Sequence, residues 1–203
     1  MTTRISYSLL FRAAIATLIV FAPLVARAQS TPLTMNSATV SIAGTSNIHE
    51  FTATAKDVRM TRLAIASGVG PAAILDNPAA VEAFEIVVRA ASLTSPKDGL
   101  DKNMHKALKV TEYPDIVFRL KKLDGKGAAL KAIGVLKIAA VEKEVTFDVK
   151  AVATAAALTI TGEVSVLMPD YGIAPPKAMM GMLKTDPKIV VKFETVFAAP
   201  TTF

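Results

Sequence analysis

The stretch ALKAIGVLKIAAVEKEVTFDVKAVA, residues 129–153, alternates apolar and polar side chains twice over. In its first half Leu130, Ala132, Gly134, Leu136 and Ile138 fall on one side and Lys131 and Lys137 on the other. In its second half Val145, Phe147, Val149 and Ala151 oppose Thr146, Asp148 and Lys150. A period of two belongs to an extended strand with one face buried and the other in water. The link AVEKE between the runs is of hairpin length, so the two read as antiparallel neighbours.

The same pattern extends in both directions. Phe84, Ile86 and Val88 share a face against Glu85 and Arg89, and Ile116, Phe118 and Leu120 oppose Arg119 and Lys121. Leu158, Ile160, Gly162, Val164 and Val166 oppose Thr159, Thr161, Glu163 and Ser165, while Ile189, Val191 and Phe193 oppose Lys188, Lys192 and Glu194. With ATVSIAG, HEFTATAKD and a weaker run at 59–67, roughly eight strands are expected. One segment departs from the pattern. In SPKDGLDKNMHKALKVTEYP, Leu100, Met104, Ala107 and Leu108 recur at helical spacing, which predicts one short amphipathic helix with Asp98 or Asp101 as its N-cap and Tyr113-Pro114 as its stop.

Many one-sided strands and one helix fit either a sandwich or a closed barrel, and periodicity does not choose between them. The inward face carries small residues at Ala53, Ala55, Ala132, Gly134, Ala151 and Gly162. A barrel of about eight strands is either just filled by its side chains or holds one small ligand. Small inward residues point to the second case; their other use is to let strands bend or the helix approach. If the space is real, a bulky residue at Gly134 or Ala151 is expected to block it.

The first residues read as an address. Arg4 and Arg12 give a positive start, Ala13 to Ala26 is free of charge, and Ala26 and Ala28 form an A-x-A cleavage pattern, so residues 1–28 are expected to be a signal peptide and 29–203 a single domain. As a membrane anchor the apolar run is too short, is interrupted by Pro23 and ends at Arg27. Removing Arg4, Arg12 and Arg27 lowers the formal charge from +6 to +3, which gives little support to a nucleic-acid partner. Export without a single Cys means that core packing alone holds the fold; a periplasm is the expected compartment. An outer-membrane barrel would also alternate and would also end in a Phe, here Phe203. It would need aromatic girdles, but the chain has no Trp and only 3 Tyr.

No signature of catalysis emerges. His49 has Glu50 beside it, but strand neighbours point to opposite faces. His105 has Asp101 one helical turn earlier, with Lys102, Lys106 and Lys109 close by, and reads as a capping or surface pair. Ser46 lies near His49 without a nucleophile elbow, and no phosphate-binding glycine loop occurs. The outward lysines Lys121, Lys131, Lys137, Lys150, Lys188 and Lys192 are interspersed with Glu85, Asp148, Glu163 and Glu194, a mixed solvated surface.

Four stretches in order, GTSNIHEFTATAKD (44–57), DKNMHKALKVTEYPDIVF (101–118), LKIAAVEKEVTFDV (136–149) and DYGIAPP (170–176), make residues 36–197 resemble the YceI-like family of secreted, lipocalin-like proteins. The resemblance implies an extended antiparallel eight-stranded barrel with one helix. Its apolar tunnel holds a long isoprenoid chain, quinone tails included, in some family members. On that reading Phe51, Phe84, Ile86, Phe118, Leu136, Phe147, Ile160 and Phe193 line the tunnel, because alternation turns them inward. His49 and His105 become tunnel-mouth or structural residues, Ser46 and Asn47 bond their own backbone in the turn between the first two strands, and Asp170, Tyr171 and Gly172 form a late turn. The chain departs from the family at Ala139-Ala140 and Glu142-Lys143, where a glycine pattern is usual, so a different tight turn is expected. The functional expectation is a periplasmic carrier or reservoir of an isoprenoid or similar lipid. It needs no catalytic residue, metal or obligatory cofactor, touches a membrane transiently, binds no nucleic acid and leaves a dimer open. The alternative is a filled barrel acting through its surface as an envelope interaction or stress module.

Overall fold

A computed structural model describes residues 33–154, 157–178 and 182–198; the expected signal peptide lies outside them. The alternating runs form β1 (Thr34–Ser46), β2 (Glu50–Ala55), β3 (Val58–Ile65), β4 (Val81–Arg89), β5 (Leu93–Thr94), β6 (Asp115–Lys126), β7 (Ala129–Ile138), β8 (Val141–Ala153), β9 (Ala157–Leu167), β10 (Lys177–Ala178) and β11 (Leu183–Ala198). Two helices, α1 (Pro71–Asp76) and α2 (Asp98–Leu108), interrupt them.

The eleven strands reduce to the eight expected once continuous paths are followed. β2 and β3 are halves of one path that bends at Lys56-Asp57: the first half pairs with β1 and the second with β4. β5 carries on from β4 after a single turn at 90–92 and pairs Leu93 and Thr94 with Ala55 and Thr54. β10 is a two-residue partner of β11. What remains is an antiparallel meander in chain order, and the bent path closes it by lying between β1 and the β4–β5 path. Closure with antiparallel neighbours throughout requires an even number of strands, since each step around the ring reverses direction. The bend at Lys56-Asp57 keeps the number even.

The β7–β8 hairpin is tighter than the sequence implies. Ile138 pairs with Val141, so the turn is Ala139-Ala140 alone, and Glu142 to Glu144 are already strand. Ala139 adopts φ +50, the left-handed conformation that a primed two-residue turn demands and that glycine usually supplies.

The helices also correct the expectation. α2 starts at Asp98 after Lys97, and Asp101 is no N-cap: its Oδ1 accepts from the Ser95 amide at 2.8 Å. It stops at Leu108 rather than at Tyr113-Pro114, because Lys109 turns left-handed (φ 51) and its amide and that of Val110 close onto the carbonyls of the last turn. α1 was not foreseen, being too short for a helical period to show. Its signals are Pro71 in the first turn and the Asn77-Pro78 break, and it buries Ile74.

α1 plugs one end of the barrel. Ile74, 2% exposed, packs with Leu33, Leu123, Leu130, Leu158 and Phe197. α2 lies across the other end, where Met104 joins Ala53, Ala55, Val88 and Leu93, and Ala107 and Leu108 meet a second cluster around Ile138 and Ile189. The outer wall carries ion pairs across strands: Lys131–Asp148 at 2.6 Å, Lys121–Glu144 at 2.7 Å and Arg119 bridging Glu85 and Glu142. Among the described residues, no helix is long and apolar enough to cross a membrane.

Candidate ligand-binding tunnel

Inward-facing residues of a filled barrel should be fully covered. Here Phe51, Phe84, Ile86, Phe118, Phe147, Ile160 and Phe193 all turn inward and all keep part of their surface free. What they face is a cavity of about 300 Å³, at the lower end of the range of roughly 300–1,000 Å³ typical of small-molecule sites. Leu136 lines it as well, so the eight residues named from alternation stand around one space. The filled-barrel alternative does not describe this interior.

The cavity is long. From Thr185 to Phe197, β11 contributes lining residues over a path of roughly 40 Å at about 3.3 Å per residue. Strand tilt shortens that to roughly 30 Å along the axis. The lining is hydrocarbon apart from Asn103, Lys177, Thr185 and Thr195. Three of these four belong to the α2 end, where Asn103 and Lys177 are exposed, and this is where the space reaches the surface. The α1 end is shut, with Ala151 1% and Ile74 2% exposed.

Thr195 is different, sitting 4% exposed between Phe193 and Phe197 on the deep part of β11. Among the described residues no hydrogen-bond partner serves its hydroxyl, so this group meets the cavity as a single polar spot in an apolar wall.

The small inward residues serve the rings more than the void. Phe118 lies against Phe147 (centroids 5.4 Å apart) and Phe147 against Phe193 (5.7 Å), forming an aromatic girdle at mid-barrel. A Cβ on Gly134 would come within 2.6 Å of the Phe118 ring and 2.5 Å of the Arg119 carbonyl oxygen; one on Gly162 would come within 2.6 Å of Phe193. Gly44 stands in the same relation to Phe51, at 2.5 Å. These glycines are where Phe rings lie down across the neighbouring strand. A plug at Gly134 would therefore break the strand pairing before it blocked the space, and one at Ala151 would overpack the sealed end.

Neither histidine lines the cavity. His49 is exposed in the β1–β2 turn, where Ser46 Oγ donates to the His49 carbonyl (2.8 Å) and accepts from the His49 amide (3.1 Å). Asn47 does not bond its own turn: its Nδ2 donates to the Met182 carbonyl and its Oδ1 accepts from the Lys184 amide, both at 2.8 Å, tying the turn to the start of β11. His105 Nε2 meets the Leu93 carbonyl at 2.8 Å and holds α2 to β5, so Asp101 is not its partner. Asp170 pairs with Lys143 at 3.3 Å while Tyr171 is buried, its hydroxyl pKa pushed up by burial and by the Asp170 charge, and Gly172 (φ 68) closes the turn. Among the described residues, no group of three or more His, Cys, Asp or Glu could hold a metal.

Sequence reasoning missed the mouth. Leu100, Met104, Ala107 and Leu108 were legible as the apolar stripe of α2, but nothing in the sequence placed that stripe on the cavity. Ile173, Pro176, Lys177 and Leu183 had no periodic signal at all.

Comparison with known proteins agrees with this geometry. A family model described as YceI-like domain matches residues 36–197. Among solved structures, BcnA of Burkholderia cenocepacia superposes with TM-score 0.64 at 14% identity, covering 78% of this chain and 95% of that one. A polyisoprenoid-binding domain from Saccharophagus degradans, implicated in plant cell wall breakdown, gives TM-score 0.60 at 13% identity, covering 83% and 97%. The Campylobacter jejuni YCEI protein gives 0.56 at 17%, covering 77% and 85%. At these identities the likeness is one of fold. No curated protein matches the sequence.

Proposed function

The chain belongs to the YceI-like family, and from that premise we propose that it is an exported, periplasmic carrier or reservoir that sequesters an isoprenoid or similar long-chain lipid in its barrel. The observation that carries this reading is the cavity: long, narrow, almost wholly apolar, sealed at α1 and reaching the surface at α2. A flexible hydrocarbon chain is the ligand class that such a space admits at full length. Shedding a few hundred Å² of apolar surface would favour binding by several kcal/mol, at roughly 25 cal/mol per Å², before ordering costs. The Saccharophagus degradans neighbour, described as a polyisoprenoid-binding domain, supports the ligand class. Export is supported by the charged start, apolar run and A-x-A pattern of residues 1–28. A binding role suits a lining that is apolar apart from Asn103, Lys177, Thr185 and Thr195.

The test is organic extraction and mass spectrometry of protein isolated from its own cells without detergent, with Ile86→Phe and Val191→Phe alongside wild type. Both positions line the cavity and keep free surface, so added bulk enters the void and not the sealed core. Wild type is expected to carry a stoichiometric prenyl or similar chain and the folded variants to lose most of it. A folded, empty wild type that refuses added quinone, or variants that load like wild type, would reject the tunnel as the site.

A further inference from the structure

Apolar side chains left in water are informative when they gather at one place on the surface. Ile48 (60% exposed), in the β1–β2 turn, and Met182 (67%), the residue before β11, are two such apolar tips. Ser46 pairs with Thr185, and Asn47 clamps the two segments through the Met182 carbonyl and the Lys184 amide and carbonyl, so both tips stand side by side on a braced backbone. Both tips lie at the open end of the cavity, beside its lining residues Phe51, Leu183 and Thr185.

Lysines gather around these tips. Lys177, itself a lining residue, pairs directly across from Lys184, a like-charge juxtaposition that costs stability in a sheet. Among the described residues neither makes an ion pair. α2 adds Lys102, Lys106 and Lys109 at the same end. Carboxylates share this end, Asp186, Asp98, Asp101 and Glu50, but among the described residues none of them makes an ion pair with Lys177 or Lys184.

We propose that this rim, Ile48 and Met182 with Lys177 and Lys184, is a docking surface for an anionic lipid bilayer, which places the tunnel opening against the membrane. The chemistry matches on both counts. Apolar tips enter the acyl boundary while ammonium groups stay at the phosphates, and the two contributions add. Continuity with the tunnel selects a bilayer over a protein partner, because a chain can pass from the acyl layer into the cavity without crossing water. The purpose of docking rests on the carrier reading; the docking itself does not.

The experiment is co-sedimentation of the full chain, expressed with residues 1–28 in place, with vesicles of phosphatidylethanolamine and phosphatidylglycerol (3:1) and of pure phosphatidylcholine. Binding to the anionic vesicles is expected, falling roughly tenfold or more in Lys177→Glu/Lys184→Glu. It should fall several-fold in Ile48→Ser/Met182→Ser and stay unchanged in Val152→Ser, an equally exposed apolar site (61%) on β8 away from the rim. Uptake of the soluble fluorescent probe N-phenyl-1-naphthylamine is measured in parallel. An Ile48→Ser/Met182→Ser variant, which changes no lining residue, that fills normally from solution but leaves the vesicles establishes docking as separate from loading. Anionic vesicle binding by a wild type that takes up no probe supports docking while rejecting the carrier reading. Wild type that ignores vesicles, is retained only by a membrane protein, or binds equally well with all four rim residues changed overturns the proposal.

Discussion

Ala139 holds a left-handed backbone that glycine adopts at no steric cost, and it does so because Ile138 and Val141 must face each other across a two-residue turn. Ala139→Gly is expected to stabilise the protein by on the order of 0.5 kcal/mol: the relieved strain of about 1–2 kcal/mol is offset by the lost methyl and the looser unfolded chain. A denaturant midpoint that moves down would show that the turn is not strained. At the same scale Gly134 and Gly162 invert their sequence meaning. Read along the chain they are gaps in an apolar face, and only the cross-strand register shows that the gaps are taken by Phe118 and Phe193.

At the scale of elements, the outer wall is sewn across β3, β4, β6 and β8. Thr61, the extra residue at a bulge in β3, donates to Glu85 at 2.6 Å, and Arg119 donates to the same carboxylate at 2.7 Å and to Glu142 at 3.2 Å. The Thr61 hydroxyl first, then Arg119, hold the Glu85 pKa below its ordinary 4.5. A depressed carboxylate stabilises the fold above its unfolded pKa and loses that contribution as the pH falls through the folded value. Glu85→Gln should therefore cost about 1 kcal/mol or less near neutrality, since the group is partly solvated, and nothing in strong acid. Melting temperatures recorded from pH 7 to pH 3 check this: wild-type and variant curves should converge on the acid side. Parallel curves would remove Glu85 from the account.

For the whole molecule, the sealed end decides whether the barrel is a tunnel with one opening or a channel through the protein. Ile74 of α1 supplies the seal, and Ile74→Ala should cost about 2–4 kcal/mol as a buried large-to-small change. It should also admit probe from the second end, seen as faster N-phenyl-1-naphthylamine exchange. Loss of stability with unchanged exchange would mean that Leu33, Leu123 and Phe197 seal the barrel without it.

The sequence by itself determined that the fold is built of one-sided strands and which face of nearly every strand turns inward, because a strand's period of two is a local property that each segment carries alone; the barrel was what the family resemblance implied. It also showed the apolar stripe of α2. Tertiary structure alone decided that the barrel is hollow, since a void is the difference between the volume enclosed by the ring and the volume filled by all its side chains together. It likewise decided which end is sealed, which rings occupy the glycine gaps, and that Ile48 and Met182, 134 positions apart, share one rim. Those facts depend on closure, and closure is a property of all the strands at once.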